Sequence, residues 1–465
     1  MKSPIVEMPG VLRPALYLAG PVLVEQLLNA LVGLVDTWLT GHYVPGAAAM
    51  AAIGLMAYLM WMLQSVFASV AIGSTALVAR FVGGGDRRLA RRTTNQAFFC
   101  GAIMAIIAMV LLKFGGLRLI ELLNLRGESA ELANRYAQIL VWVIPPLMVL
   151  HVGNACLRGA GDTISGFVAM TCLNVVNVVV GATLVTGAFG TGLLGISPLG
   201  WDGLAIGTAA GHYVGAAIVL LLLWKGRRGL HLRPRWLKPD RELIGRLLKI
   251  GLPGGADMAV VLACHLWFVR IVNSLGELES SAHMLAVRME SLAYLPGTAF
   301  QVAAATMAGQ YLGAGRPGRA FRGVMAAMGL GLMAGFGTGA WFYFGPESLT
   351  AFFTGRGTAA TAEAAIPVLQ MAAFAMPSLL ISMVLSGALR GAGDTRWPLL
   401  ITLVGMVGIR IPLAYALVAG VPWLVDLGLP TGLQGAWLAM VIDVIFRSGC
   451  AMARFLHGGW QRAQV

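Results

Sequence analysis

Apolar residues in this chain come in long unbroken runs. Twelve stretches carry few charges: about 14–41, 48–79, 94–114, 136–157, 165–187, 200–224, 250–275, 282–312, 321–345, 362–389, 397–419 and 433–456. A run of about 20 apolar residues crosses the hydrocarbon core of a bilayer as a helix. The pattern therefore predicts an all-α membrane protein with twelve transmembrane helices.

Composition agrees. Of 465 residues, 58% are apolar and 11% charged, against roughly 25% charged in soluble domains. The 61 glycines suit close helix approach in lipid. A net charge of +13 would point to nucleic acid in a soluble protein. Here the cations sit in short connections between runs, so the partner they imply is the lipid bilayer and not nucleic acid. One side, which includes both termini, holds 24 of the 33 Lys and Arg residues. The other holds Lys113, Arg118, Arg126, Arg135 and Arg356. Cytoplasmic loops attract the Lys/Arg excess, so the expectation is a multi-pass inner-membrane protein with both termini cytoplasmic. Such a bias requires an even number of spans. The stretch 225–249 carries nine of the cations. It reads as a cytoplasmic linker, with contact to anionic lipid as a second reading. All five cysteines fall inside apolar runs without a CxxC, so they read as small buried side chains. The first run has no small-residue cleavage site and is expected to remain as a helix.

The chain repeats itself. Residues 156–163 read CLRGAGDT and 388–395 read ALRGAGDT, seven of eight alike at an offset of 232. The same offset aligns Pro21 with Pro253, Glu25 with Asp257 and Gly203 with Gly435. An offset of 230 aligns Gly83, Gly85, Ala90 and Arg92 with Gly313, Gly315, Ala320 and Arg322. Internal repeats declare architecture. Six spans per half is an even number, so the halves share orientation and form two pseudo-symmetric six-helix bundles. The predicted lobes are 1–224 and 250–465, joined by 225–249. In the two RGAGDT turns, glycines end one helix, and Asp162 or Asp394 is placed to cap the next.

An ionisable group inside a span is costly and is a functional candidate on that ground. The acids are Glu25 and Asp36 on the first span, Asp257 on the seventh, Glu290 on the eighth and Asp443 on the twelfth. Asp36 follows ten almost wholly apolar residues near the outer end of its span. A carboxyl there that alternates between protonated and charged forms can couple a proton to a change of shape. Glu25 lies eleven residues earlier, about three turns, and shares its face. It reads as a proton relay, a contact for cationic cargo, or a buried hydrogen-bonding group. On the fifth span, Asn174 and Asn177 are three apart and share a face. Thr208 on the sixth offers a hydroxyl, and His212 reads as a relay or as a structural histidine. Asp257 and Glu290 read either as attractors of a cationic substrate or as partners of Arg270, Arg288 or Arg410. Asp443 and Arg447, at i and i+4, are placed to neutralise one another.

Several of these segments resemble one family, the multidrug and toxic compound extrusion (MATE) transporters. The first span, PVLVEQLLNALVGLVDTWLTGH, is similar to the family's first helix in ending on Val-Asp-Thr and a Gly. The two LRGAGDT turns, AAATMAGQYLGAG at 303–315, IRIPLAY at 409–415 and the tail ARFLHGGW follow in the family's order. The resemblance covers nearly the whole chain and implies a V-shaped antiporter that expels organic, often cationic, drugs or toxins against protons or sodium. It implies that Asp36 is the coupling acid. The bacterial branch resembled most is the DNA-damage-inducible type. There an Asn, matched by Asn177, and a Thr on the sixth helix, matched by Thr208, accompany that acid. An Asp of that branch is replaced here by Gly181. Sodium prefers several hard oxygens, so this departure favours protons, while Asp36, Asn177 and Thr208 remain the sodium alternative. The second-half acids of another branch are missing: Val261 stands at one position, and 373–389 contains no acid. No resident metal or cofactor is expected, and the protein reads as a monomer.

Two other classes fit less well. A lipid-linked oligosaccharide flippase of the wider superfamily handles pyrophosphate and calls for a cavity lined by cations. Here Arg270, Arg288, Arg410 and Arg447 are set against five acids. An enzyme is disfavoured because HExxH, GxSxG and the P-loop pattern are absent.

Overall fold

Each apolar run is helical in the structure, a computed structural model that describes residues 4–44, 47–122, 127–187, 198–353 and 359–463. The long helices are α1 (Leu12–Tyr43), α2 (Ala47–Val66), α3 (Ala68–Gly83), α4 (Arg87–Leu122), α5 (Glu128–Gly159), α6 (Thr163–Thr186) and α7 (Trp201–Trp224). They continue as α8 (Arg241–Asn273), α9 (Glu277–Gly313), α10 (Pro317–Phe344), α11 (Ala359–Gly391), α12 (Arg396–Val418) and α13 (Gly432–His457). The second predicted span appears as α2 and α3, which meet at Phe67. Among the described residues, eleven helices are long and apolar enough to cross a membrane. The expected eighth span, α9, is not one of them. Its 37 residues extend about 55 Å at 1.5 Å per residue, but Glu277, Glu279, His283, Arg288 and Glu290 fall in its first half, and Gln301, Thr306 and Gln310 dilute the apolar character of its charge-free second half. Arg126 and Arg356, counted above among the outer cations, lie outside the described residues.

Several helices begin well before their apolar runs. α8 starts at Arg241, so the connection from α7 ends there rather than at 249. Leu243, Leu247 and Ile250 are buried at a helical spacing that the intervening cations obscure. The remaining connection is held by side chains of α4. Asn95 accepts from the Arg233 amide (2.9 Å) and donates to the His231 carbonyl (2.8 Å). Gln96 donates to the carbonyls of Trp236 and Lys238 (2.9 Å each) and accepts from the Asp240 amide (3.0 Å). Arg91 donates to the Gly229 carbonyl at 2.6 Å, and Arg92 pairs with Asp240 at 2.5 Å.

The chain divides into two compact units. One is Gly20–Gly255; the other is Met1–Ala19 with Ala256–Val465. In the first, the start of α8 packs on α3: a β-carbon at Gly251 would lie 2.3 Å from the Ser69 carbonyl, and one at Gly255 2.7 Å from the Ser69 β-carbon. In the second, the Tyr311 hydroxyl donates to the Ile5 carbonyl and Arg319 donates to the carbonyls of Val6, Met8 and Gly10.

The two RGAGDT turns share a backbone but not their side-chain partners. Gly161 (φ 79) and Gly393 (φ 92) take the left-handed conformation that closes each turn. Asp162 caps α6 as expected, accepting from the Ser165 amide at 3.0 Å, and also binds Arg227 at 2.8 Å. Asp394 does not cap α12, whose N-cap is Thr395 without a side-chain bond. It takes Arg454 instead, at 2.7 Å.

Helix pairs at the end of each half are sealed differently. Gly203, Gly207, Gly211 and Gly215 form a stripe on α7 at one-turn spacing, and α6 lies directly against it. β-Carbons there would fall 2.9 Å from Leu184 C, 2.6 Å from Gly181 Cα, 2.6 Å from the Leu173 carbonyl and 3.1 Å from Leu173 Cβ. Small residues of this kind let helices in lipid approach to backbone contact. In the second half, 232 residues on, only Gly435 persists; Ala439, Asp443 and Arg447 occupy the other positions. The facing helix α12 widens there into a π-helix, Leu403–Arg410. Its Gly405 makes room for charge, since a β-carbon would lie 2.3 Å from Asp443 Oδ1.

Candidate functional site

The polar residues of α1, α5, α6 and α7 converge inside the first unit. On α1, Glu25, Asn29 and Asp36 fall at i, i+4 and i+11, one face of the helix. Asn177 donates through Nδ2 to Thr208 Oγ1 at 3.2 Å, and the Tyr136 hydroxyl is 3.0 Å from the same oxygen. Asn177 and Thr208 are buried, and Asn177 Oδ1 is a buried acceptor without a donor among the described residues. His212 donates from Nδ1 to the Thr208 carbonyl at 2.7 Å, a bond within its own helix. The Asp36 carboxyl is near enough to Tyr136 to interact with it electrostatically. It has neither a cation nor a hydrogen-bond donor beside it among the described residues.

Other candidates lie apart from this cluster. Asn174 donates to Asn29 Oδ1 at 2.9 Å. Asn29 and Tyr136 were not singled out in the sequence. Asn29 sits one turn after Glu25 and two turns before Asp36, a spacing that could have flagged it. Tyr136, at the start of a predicted span, gave no such signal. Glu25, 3% exposed, accepts from Arg158 at 2.6 Å, and its other oxygen is buried without a partner among the described residues.

In the second unit, Asp257 is fully buried and paired with Arg390, not with Arg270, Arg288 or Arg410. Asp443 binds Arg447 (2.9 Å), as its spacing predicted, and also Arg410 (2.7 Å). Arg410 further lies over the Phe268 ring at 5.9 Å. Two cations share one acid in this triad. A second acid close enough to act on both arginines is Glu290, which is buried on α9. The surroundings of Glu290 are therefore cationic. Nearby, Trp437 donates to His283 Nδ1 at 3.1 Å. Among the described residues, no group of three or more His, Cys, Asp or Glu side chains is arranged to hold a metal ion.

Comparison with known proteins decides the family. A profile of the MatE family matches residues 21–183 and again 253–416, two stretches that begin 232 residues apart, as the repeat does. The chain belongs to the MatE family. MatE proteins are membrane transporters, so the chain is a multi-pass transporter and not an enzyme. It is 28% identical over 462 residues to the probable multidrug resistance protein NorM of Thermotoga maritima, covering 99% of this chain and 96% of that one. It is 25% identical over 442 residues to the multidrug resistance protein PmpM of Pseudomonas aeruginosa, covering 93% and 88%. Its fold matches an outward-facing multidrug resistance MATE family transporter of the MOP superfamily with a TM-score of 0.86, at 20% identity over 98% of this chain and 96% of that one. It also matches a MOP superfamily transporter from Pyrococcus furiosus, described as having a binding pocket of reverse polarity. That TM-score is 0.87, at 20% identity over 99% and 98%.

Proposed function

We propose that this MatE protein is a secondary multidrug efflux antiporter that exchanges organic, cationic compounds for protons by alternating access. Multidrug resistance relatives along the full chain support export, and the family is known for no resident cofactor. The observation that carries the coupling role is Asp36: a carboxyl on an apolar helix, without a counter-ion among the described residues, beside the cluster of Tyr136, Thr208 and Asn177. Protonation removes its charge, and the open acceptor Asn177 Oδ1 offers a second oxygen to whatever cation is bound. Sodium prefers more hard oxygens than this, and Gly181 supplies none.

Asn174 acts through its bond to Asn29 on the same helix as Asp36. Glu25 has a cationic partner in Arg158, which suits positioning of α1 more than relay. Asp257 and Glu290 are proposed as charges that shape the substrate path in the second unit. Arg390 beside the one and Arg410 and Arg447 beside the other offset their pull on a cation. Placement in the inner membrane with cytoplasmic termini, lobes at 1–224 and 250–465, and kinship with the DNA-damage-inducible branch belong to the same proposal.

The test is ethidium efflux from proteoliposomes holding the purified protein, with proton and sodium gradients imposed separately. Efflux driven by the proton gradient alone, and lost in Asp36→Asn at normal protein yield, is expected. Efflux driven by sodium without a pH difference would overturn the proton assignment. Full activity of Asp36→Asn would remove Asp36 from the mechanism.

A further inference from the structure

The connection between α7 and α8 carries cations in a fixed arrangement. It leaves one candidate span at Trp224, which is 69% exposed, and enters the next at Arg241. Lys225, Arg227, Arg228, Arg233, Arg235 and Lys238 face a single acid, Asp240. Asp240 is occupied by Arg92, and Arg227 and Arg228 are drawn to Asp162. Lys225, Arg233, Arg235 and Lys238 remain exposed, with no carboxylate partner among the described residues. The guanidinium groups of Arg233 and Arg235 each lie 5.4 Å from the centre of the Trp236 ring, a contact that orients them without neutralising them.

A loop that served only to set topology would need charge but no fixed shape. This one has its backbone bonded at five points by Asn95 and Gln96, which are 0% and 2% exposed. The clamp keeps Arg233, Arg235 and Lys238 presented together between the ends of two spans. Clusters of basic residues next to a span attract anionic head groups. Indole rings settle at the same depth, and guanidinium forks match phosphate oxygens.

We propose that Lys225, Arg233, Arg235 and Lys238, with Trp236, form a binding site for the head group of an anionic phospholipid in the adjoining leaflet. Phosphate oxygens sit on the arginines, and the glycerol and upper acyl chains run toward Trp224. The site lies outside the polar cluster of the first unit and operates whatever the coupling ion.

The full-length protein is reconstituted in nanodiscs containing equal parts phosphatidylglycerol and phosphatidylcholine of matched chains. It is then released into detergent, and the retained lipids are counted by native mass spectrometry. Several-fold enrichment of phosphatidylglycerol is expected. The triple variant Arg233→Gln/Arg235→Gln/Lys238→Gln should lose that enrichment, whereas Arg118→Gln should keep it. Asn95→Ala leaves the cations but frees the backbone, and should reduce the preference. Equal retention of both lipids by the unaltered protein overturns the proposal, whether or not the variants fold. So does undiminished preference in the triple variant. Displacement of the lipid by millimolar inorganic phosphate would assign the site to a soluble anion instead.

Discussion

Arg390 holds Asp257 through the same kind of bond, and at the same places in the repeat, that Arg158 uses to hold Glu25. Both acids stand four residues after a helix proline, Pro253 or Pro21, and both arginines open an RGAGDT turn. The two halves have kept the ion pair while exchanging Glu for Asp. Removing one partner strands a buried charge, which costs about 3–5 kcal/mol. Asp257→Ala and Arg390→Ala are each expected to lower the melting temperature in detergent markedly. The double variant should melt higher than either single one, as a thermal unfolding series will show.

Thr208 is a shared partner: its hydroxyl accepts from the Asn177 amide and is hydrogen-bonded to the Tyr136 hydroxyl. Thr208→Val keeps the shape but leaves the Asn177 amide without its acceptor and the Tyr136 hydroxyl without its partner. An unmet buried donor costs about 1–3 kcal/mol, so a modest loss of thermal stability is expected. The larger effect should be on transport, with the pH profile of ethidium efflux displaced relative to the unaltered protein. An unchanged profile would place Thr208 outside the coupling site.

Gly207 has no space for a methyl group. A β-carbon would stand 2.6 Å from Gly181 Cα and 2.7 Å from its nitrogen, both backbone atoms that cannot turn aside. Gly207→Ala should destabilise by about 1–3 kcal/mol, as overpacking does. Gly245→Ala on α8, where none of the described residues comes within 4 Å of an added β-carbon, serves as control and is expected to be neutral or slightly stabilising. Melting temperatures of the two variants check this.

Gly181 is the position where the resembled branch carries an acid. Among the described residues a β-carbon here meets only Gly207 Cα, at 4.0 Å, so a side chain can begin without collision. Gly181→Asp adds a carboxylate on the helix of Asn177, one turn away, and supplies a hard oxygen for sodium. Efflux in a sodium gradient without a pH difference should rise in this variant and not in Gly181→Asn.

The helices were legible in the sequence because a bilayer demands long apolar runs. Predicted and observed bounds differ mainly where cations interrupt the pattern, as at α4 and α8. The repeat was legible from CLRGAGDT and ALRGAGDT, and it located Glu25 and Asp257 at matching places. What it could not show was their partners. Arg158 and Arg390 lie 133 residues away in the chain, and at the sequence level they read only as topology-setting charge. Asp162 and Asp394 make the same point: identical motifs, yet one caps a helix and the other binds Arg454. Asp162 caps α6 and also binds Arg227, while Asp394 binds Arg454 without capping, so the motif fixes neither the cap nor the cation. The π-helix at Leu403–Arg410 is invisible for a similar reason, because its widening answers to Asp443 and Arg447 across the gap.

The glycine stripe on α7 has an evolutionary corollary. A protein assembled from two copies of the first half would close both terminal helix pairs by bare backbone, with no charge between them. Grafting α13 in place of α7 would instead drive a carboxylate and a guanidinium against an unwidened α6. The duplicated halves have thus lost interchangeability at this seam, and a change tolerated on one side is no guide to its counterpart on the other.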